Sequence, residues 1–349
     1  MKYTNSQISK AGRVIISSMD DAEYMQAVEI INDWRALHLP ALDELRNALV
    51  STLLDKNIHL YSVSHRLKRF SSIQNKLDRN PESRLGTLQD IGGLRIVVPT
   101  MSVLNKSLDI ILKSVPEHFE FTKSPINYIE RPKDISGYRS VHLVYKYHSK
   151  NKDLDGAKIE LQLRTKLQHS WAMAVETAEL ISNSALKASQ GDEDWMEFFK
   201  ITSSLFSIKE QSPILREHEE NGYTKKNLMT KLYHLNKEHN FNDKLKALSI
   251  STNFAKKDNY KDGYYILNIN FVAKTVKVKS FPKESEKEAS EQYSRLEKIL
   301  EESKNAIVLV SVPKMKELQE AYPSYFLDTT GFLKEIDKMM DDCKKFRFV

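Results

Sequence analysis

Apolar residues recur with helical or strand-like spacing along most of the chain, and this pattern predicts alternating helices and strands. Residues 20–56 carry apolar positions three and four apart, interrupted at Pro40, which predicts two helices. The same spacing predicts further helices over residues 62–79 and 101–115. Short apolar segments bounded by turn residues predict three buried strands, with the sequences GGLRIVVPT, YRSVHLVYKYH and AKIELQLRT.

The order of these elements predicts an α/β (α+β) protein with an added C-terminal unit. Residues 1–190, closed by the helix KLQHSWAMAVETAELIS, interleave helices and strands as one domain. Residues 191–260 predict a helical connector with a break at Pro213. Residues 261–349 predict a second, smaller α/β domain. Its predicted elements are the strands GYYILNINFV, KTVKVKSF and AIVLVSV, a charged helix over 285–303, and a helical tail broken at Pro323.

Charge and cysteine content restrict the function classes. Residues 61–170 hold 19 Lys and Arg against 11 Asp and Glu, which favours an anionic ligand such as a nucleotide or RNA, or else a solvated basic surface. The single cysteine, Cys343, excludes a disulfide framework and a cysteine-rich metal site. The sequence MKYTNSQISKAGRVII lacks the apolar stretch of a signal peptide, and no apolar run is long enough to span a bilayer. We therefore expect a cytoplasmic protein without a membrane partner.

The segment 65–79 predicts a helix with one apolar and one basic face. Its apolar face comprises Phe70, Ile73 and Leu77, and its polar stripe comprises Lys68, Ser72 and Lys76. Two ammonium groups and a hydroxyl on one stripe suit a polyphosphate. The alternative is a solvated basic helix.

Two strands present polar side chains at positions where a core residue would be apolar. Asp90 and Arg95 flank a glycine turn, an arrangement that suits Mg²⁺ beside a nucleotide or an ordinary salt bridge. Strand spacing places Glu160, Gln162 and Arg164 on one face of another strand. That face is either part of a site or a solvent-facing sheet surface.

A loop within residues 127–147 combines an aromatic ring with several cations. Gly137 frees the backbone, and Tyr138 could stack on a base. The donors for phosphate or ribose would be Lys133, Arg139 and His142. The alternatives are a tyrosine folded onto the core and a buried, satisfied histidine.

Four ordered motifs together resemble the synthetase domain of the RelA/SpoT family over roughly residues 20–185. They are R-x-K-x-x-x-S-I-x-x-K-L, D-I-x-G-x-R-I, Y-I-x-x-P-K-x-x-x-G-Y-R-S-x-H and E-x-Q-x-R-T-x-x-Q-H-x-W-A. The resemblance implies a nucleotidyltransferase-like mixed sheet flanked by helices. It also implies a pyrophosphokinase, which moves the β,γ-pyrophosphate of ATP to a ribose 3′-hydroxyl.

The resemblance implies a role for each matching residue. ATP would be held by Arg66 and Arg95 at the adenine and by Lys68, Ser72 and Lys76 at the phosphates. The Mg²⁺ ligands would be Asp90 and Glu160, and Glu160 would also take the proton of the 3′-hydroxyl. The acceptor would be held by Tyr138, stacked on its base, together with Lys133, Arg139, His142 and Gln162.

Three departures from the family pattern concern the basic segment and the acceptor loop. Arg69 stands where a small residue is usual, Asn127 where Asp is common, and KDISGY is one residue longer than the common form. The second and third leave the acceptor open. The family's metal-dependent hydrolase half has no counterpart in the motifs, so we expect synthesis without self-hydrolysis.

The added C-terminal unit resembles that of fused toxin–antitoxin synthetases of the CapRel type. There, a Y-x-x-Y motif blocks the ATP site, and Tyr322 and Tyr325 have this spacing here, although both could instead be core residues. This resemblance implies an acceptor at the 3′-CCA end of tRNA, a block of translation in anti-phage defence, and a phage protein as trigger. A basic surface for tRNA would comprise Lys106, Lys113, Lys123, Arg131 and Lys150. The alternatives are a (p)ppGpp synthetase that uses GDP or GTP, and a non-catalytic nucleotide sensor.

Overall fold

The structure is a computed structural model and describes residues 1–182, 193–246, 263–270, 275–299, 305–312 and 329–345. The helices are α1 (Asn5–Ser17), α2 (Asp21–Ala36), α3 (Leu39–Asp55), α4 (Phe70–Arg79), α5 (Met101–Lys113), α6 (Lys166–Ser182), α7 (Glu193–Lys209), α8 (Arg216–Glu220), α9 (Lys225–His239), α10 (Phe241–Lys246), α11 (Glu286–Ile299) and α12 (Thr330–Lys345). The strands are β1 (Ser62–Leu67), β2 (Gly92–Val98), β3 (Phe119–Phe121), β4 (Ile126–Asn127), β5 (Val141–Tyr147), β6 (Lys158–Thr165), β7 (Gly263–Asn270), β8 (Thr275–Pro282) and β9 (Asn305–Val312). Short 3₁₀ turns lie at Leu85–Thr87 and Lys283–Ser285.

The nine strands of the described residues form one mixed sheet. Its order is β3-β5-β6-β2-β1-β9-β7-β8, and β4 also pairs with β5. Only β2 and β6 run parallel among these strands, and the remaining pairs are antiparallel. The mixed sheet with flanking helices confirms the predicted fold class.

The two faces of the central strands differ in chemistry because side chains alternate along a strand. On one face, residues such as Leu94, Ile96 and Leu161 are fully buried against Leu42 and Leu45 of α3. The opposite face carries the polar residues of β1, β2 and β6. The sheet therefore separates a dry core from a polar surface.

The predicted helix over residues 62–79 is wrong in its first part. Residues Ser62–Leu67 form β1, which pairs with β2 on one side and β9 on the other, and α4 begins only at Phe70. Hydrogen bonds from two neighbouring strands outweigh the helical spacing of the sequence. The apolar face of α4 is buried as predicted, with Phe70, Ile73 and Leu77 at most 5% exposed.

A helix without a counterpart in the sequence analysis begins the chain. The side chain of Thr4 accepts from the amide of Gln7, and the side chain of Gln7 accepts from the amide of Thr4. This reciprocal cap satisfies two otherwise free backbone donors at the start of α1.

The strands after residue 262 extend the same sheet. Strand β9 pairs with β1, with Arg66 opposite Val310, and β7 pairs with β9. The apolar core also continues across this junction, since Tyr264 and Tyr293 belong to the same buried cluster as the residues of α3. The division into domains 1–190, 191–260 and 261–349 stays a prediction.

Helices α6, α7, α9 and α12 pack around a second apolar cluster, which includes Phe198, Phe206 and Phe332. The predicted break at Pro213 lies between α7 and α8. Among the helices that the structure describes, none combines the length and apolarity needed to cross a bilayer.

Candidate active site

A cavity of about 90 Å³ opens on the polar face of the sheet, over β1, β2 and β6. Its lining residues are Ser64, His65, Arg66, Lys68, Asp90, Gly93, Leu94, Arg95, Glu160 and Gln162. Strand pairing sets Arg66, Gly93 and Glu160 side by side in one row of the sheet. Gly93 has no side chain to fill the space between the arginine and the carboxylate, so the cavity lies there.

Asp90 lies just before β2 and faces two lysines. Its carboxylate is 2.8 Å from Nζ of Lys68 and 3.2 Å from Nζ of Lys76. Burial opposes ionisation of Asp90, but the two ammonium charges outweigh burial and lower its pKa to about 2. The backbone amide of Lys68 donates to the carbonyl of Ile91 at 2.8 Å, which joins the ends of β1 and β2. Asp90 is therefore ionised at neutral pH and held beside its lysines.

Glu160 is held by donors on both carboxylate oxygens. Nδ1 of His142 lies 3.0 Å from one oxygen, and Nε2 of Gln162 donates to the other at 2.8 Å. Burial and the nearby charge of Asp90 favour the neutral acid, but the hydrogen bonds from His142 and Gln162 prevail and lower the pKa of Glu160. Glu160 is thus an ionised, oriented acceptor at the cavity.

A hydrogen-bond network continues from His142 into the loop. A carboxylate can only accept, so Nδ1 of His142 carries the proton of its contact with Glu160. Nε2 of His142 lies 2.8 Å from the hydroxyl of Tyr138, which also accepts from Arg164 at 2.6 Å. Arg164 donates to Gln162 as well, at 2.7 Å. The four side chains of Tyr138, His142, Gln162 and Arg164 therefore fix one another around Glu160.

The predicted acceptor-binding ring, Tyr138, is only 8% exposed. The guanidinium of Arg164 lies 5.1 Å from the ring centroid, and Nζ of Lys133 lies 5.5 Å from it. Lys133 also lies 4.8 Å from the ring centroid of Tyr128. Stacking of a base on Tyr138 would require one of these cations to move aside.

The structure does not bring Arg139 to the cavity. Arg139 is only 4% exposed, and its guanidinium donates to Oγ of Ser203 at 3.0 Å and to the carbonyl of Pro213 at 2.6 Å. Tyr138 and Arg139 are neighbours in the chain, but the hydroxyl of Tyr138 contacts His142 whereas the guanidinium of Arg139 contacts Ser203 of α7. The predicted acceptor contact of Arg139 is not supported by this arrangement.

The remaining predicted site residues differ in their placement. Arg66 and Arg95 line the cavity from adjacent strands. Ser72 lies half-buried on α4, and in the described part of the chain no contact joins it to the cavity. Tyr322 and Tyr325 lie outside the described residues.

The cavity offers two carboxylates as magnesium ligands, although the described residues contain no cluster of three or more acidic, histidine or cysteine ligands. Mg²⁺ in nucleotide sites commonly takes one or two carboxylates together with substrate phosphates. Asp90 and Glu160 line the same cavity and both have lowered pKa values. Two ionised carboxylates therefore fit an ion that a nucleotide brings with it.

Residues 65–181 match the protein family described as "Region found in RelA / SpoT proteins". This part of the chain is a RelA/SpoT region. It contains every described residue of the cavity except Ser64.

Several known proteins are similar to this chain. An uncharacterized protein of Mycobacterium tuberculosis H37Rv is 31% identical over 110 residues, which are 32% of this chain and 36% of the relative. The probable chloroplastic GTP diphosphokinase RSH2 of rice is 33% identical over 140 residues, 40% of this chain and 17% of the relative. The match thus spans about a third or less of the length of these relatives. The small alarmone synthetase 2 of Bacillus subtilis has 24% identity, covers 52% of this chain and 95% of its own, and gives a TM-score of 0.43.

Sequence reasoning missed two residues beside the site. Arg164 was placed on the polar face of its strand but was given no role, although the same alternation that selected Glu160 includes it. Gly93 contributes by lacking a side chain, and its row partners become known only with the strand register.

Proposed function

We propose that the protein is an ATP-dependent pyrophosphokinase that transfers the β,γ-pyrophosphate of ATP to a ribose 3′-hydroxyl. The observation that carries the proposal is that one cavity is lined both by Asp90 and Glu160, which are ionised, and by Arg66, Arg95 and Lys68. Opposite charges at this density suit a polyphosphate and its cation. The RelA/SpoT region that contains these residues supports the same activity.

On the donor side, the cations would bind ATP. The planes of Arg66 and Arg95 suit the faces of a purine. Lys68 and Lys76, now paired with Asp90, would transfer their hydrogen bonds to the β- and γ-phosphates. Bound Mg²⁺, held by Asp90 and Glu160, would neutralise charge on the moving group. Pyrophosphoryl transfer depends on such alignment and charge neutralisation more than on covalent help from the protein.

On the acceptor side, Glu160 would receive the proton of the ribose hydroxyl. The 3′-oxygen forms a bond to the β-phosphorus, the bond from that phosphorus to the oxygen bridging to the α-phosphorus breaks, and AMP leaves. The hydrogen bonds of His142 and Gln162 orient the carboxylate and keep it ionised, so Glu160 can accept a proton at neutral pH.

For the acceptor we propose the 3′-CCA end of tRNA, so that the protein would inhibit translation in anti-phage defence. Support comes from exposed basic residues: Lys123, Arg131 and Lys150, together with Lys106 and Lys113 on α5. The second candidate is GDP or GTP, which would make the protein a (p)ppGpp synthetase. The name of the rice relative, a probable GTP diphosphokinase, favours this candidate.

We also propose that residues after 262 restrain the activity until a phage protein binds them. Strand β9 pairs directly with β1, the strand that carries Arg66. The cavity of about 90 Å³ is smaller than the roughly 300–1,000 Å³ typical of ligand sites, so ATP entry would need an opening. Tyr322 and Tyr325 remain the proposed blocking residues.

The acceptor test uses ATP labelled at the γ-phosphate. Deacylated tRNA should become labelled, and tRNA oxidised with periodate, which lacks a 3′-hydroxyl, should not. Label found only in GDP or GTP would exclude the tRNA proposal and support the second candidate. For the restraint, Tyr322→Ala with Tyr325→Ala in the full chain should inhibit growth, and adding Glu160→Gln should restore it. A harmless double variant with transfer activity unchanged from the wild type would contradict the restraint.

A further inference from the structure

The loop that carries Tyr138 is anchored from behind by α7. Oγ of Ser203 donates to the carbonyl of Gly137 at 2.6 Å and accepts from Nε of Arg139 at 3.0 Å. Ser203 is 2% exposed and Arg139 4% exposed. One buried hydroxyl on α7 therefore binds the loop on both sides of Tyr138, at Gly137 and at Arg139.

Arg139 makes two further hydrogen bonds, one to the segment after α7 and one to the start of its own loop. Its Nη1 donates to the carbonyl of Pro213, in the turn after α7, at 2.6 Å and to the carbonyl of Ile129 at 3.3 Å. The tip of the loop is held as well, because Oδ1 of Asp134 accepts from the amide of Arg216 at 3.0 Å. These hydrogen bonds join the loop to the segment between α7 and α8.

The backbone of Gly137 explains how the loop comes so close to α7. Its φ is +79°, a conformation that side chains rarely allow, and an added Cβ would lie 3.0 Å from Cβ of Ser203. The glycine thus permits both the turn and the approach that the hydroxyl of Ser203 needs.

The anchored loop is connected to Glu160 by side chains already described. Tyr138 follows Gly137 directly, and its hydroxyl contacts His142, which contacts Glu160. A shift of the loop backbone would therefore move Tyr138 and weaken the hold of His142 on the carboxylate.

We propose that Ser203 and Arg139 are positioning residues for the acceptor half of the site. They fix the loop so that Tyr138 and His142 orient Glu160, and Arg139 acts from the protein interior rather than on substrate phosphate. The inference rests on the proposed pyrophosphate transfer and extends the functional unit to α7, outside the RelA/SpoT region at residues 65–181.

The test compares Ser203→Ala with Ser207→Ala. Ser207 is also a fully buried serine of α7, but its hydroxyl donates only to Ser204 of its own helix. Small misplacements of reacting groups cost large factors in rate, so Ser203→Ala should lower kcat/KM for the acceptor about tenfold or more. The KM for ATP should stay within about twofold, because the donor contacts are untouched. Ser207→Ala should match the wild type in both constants.

A double variant separates positioning from direct phosphate binding. If Arg139 and Ser203 form one anchor, then Arg139→Ala combined with Ser203→Ala should be little worse than the more damaging of the two single changes. If Arg139 bound phosphate, the decrease in kcat/KM caused by Arg139→Ala would grow with the number of acceptor phosphates. Ser203→Ala would then resemble Ser207→Ala. That pair of results would overturn the inference.

Hydrogen exchange keeps this test independent of catalysis. Backbone amides of residues 136–142 should exchange faster in Ser203→Ala than in Ser207→Ala. Equal exchange rates in the two variants would contradict the claim that Ser203 anchors the loop. Faster exchange in a protein that transfers no pyrophosphate would instead leave the anchor standing and refute the proposed function.

Discussion

Asp90→Asn should remove a pH-dependent part of the protein's stability. Burial disfavours the charge of Asp90, but Lys68 and Lys76 outweigh burial and lower its pKa from 3.8 to about 2. One pKa unit corresponds to about 1.4 kcal/mol, so the carboxylate adds about 2.5 kcal/mol to the free energy of unfolding. The side chain is only 23% exposed, so solvent screens this pair less than a surface pair.

The sign of the effect fixes the pH window. The native pKa is depressed, so the contribution is complete above the unfolded pKa of 3.8 and falls as pH drops toward 2. About half of it should be lost by pH 3. Urea unfolding of wild type and Asp90→Asn from pH 7 to pH 3 gives the difference between the two proteins at each pH. That difference should shrink by about 1 kcal/mol over this range.

Asp109→Asn is the matched control, because Asp109 pairs with Lys113 on the exposed surface of α5. Asp109→Asn should lower the free energy of unfolding at pH 7 by only about 0.3 kcal/mol. A difference between wild type and Asp90→Asn that stays constant from pH 7 to pH 3 would refute the argument. It would mean that the two lysines do not depress the pKa of Asp90 in the native state.

Three further changes test separate contacts. Glu160→Gln should abolish transfer and leave ATP binding, measured by calorimetry, within about threefold of wild type, because the amide cannot take a proton. Gly137→Ala should lower the free energy of unfolding by about 1 to 2 kcal/mol, because φ is +79° there. Tyr293→Phe removes a 2.8 Å hydrogen bond from Arg35, whose Nε also donates to the carbonyl of Lys68, so it should cost about 1.5 kcal/mol and raise the KM for ATP.

Each of these results has a counterpart that contradicts the account. Retained transfer in Glu160→Gln would exclude a proton-accepting role for this carboxylate. Unchanged stability in Gly137→Ala would mean that the loop does not need a left-handed residue. A normal KM for ATP in Tyr293→Phe, with stability lowered as expected, would show that the contact from α11 does not affect ATP binding.

Local periodicity predicted the parts of the fold in which buried and polar positions alternate within one segment. The alternation in AKIELQLRT correctly separated Glu160 and Gln162 from the buried leucines of β6, and the spacing of Phe70 and Ile73 correctly gave the buried face of α4. In both cases one segment carries the whole pattern. The strand β1 was missed because it is stabilised by pairing with β2 and with β9, and β9 lies more than 200 residues later, so local spacing cannot indicate this pairing.

The placement of site residues followed the same division. The motifs assigned Asp90 and Glu160 to one metal site. Both residues line one cavity, because they lie on or beside paired strands. Arg139 was assigned to the acceptor as a donor for phosphate or ribose, but its guanidinium donates to Ser203, 64 residues away on α7. A buried hydrogen bond of this kind has no local signal in the sequence.

The most direct test of the proposed chemistry follows both products of ATP labelled at the γ-phosphate, with tRNA and guanosine nucleotides offered as acceptors. The account predicts that AMP and labelled acceptor form in equal amounts, and that neither forms with Glu160→Gln. Release of ADP instead of AMP, or label transfer that survives the loss of Glu160, would contradict pyrophosphate transfer at this cavity.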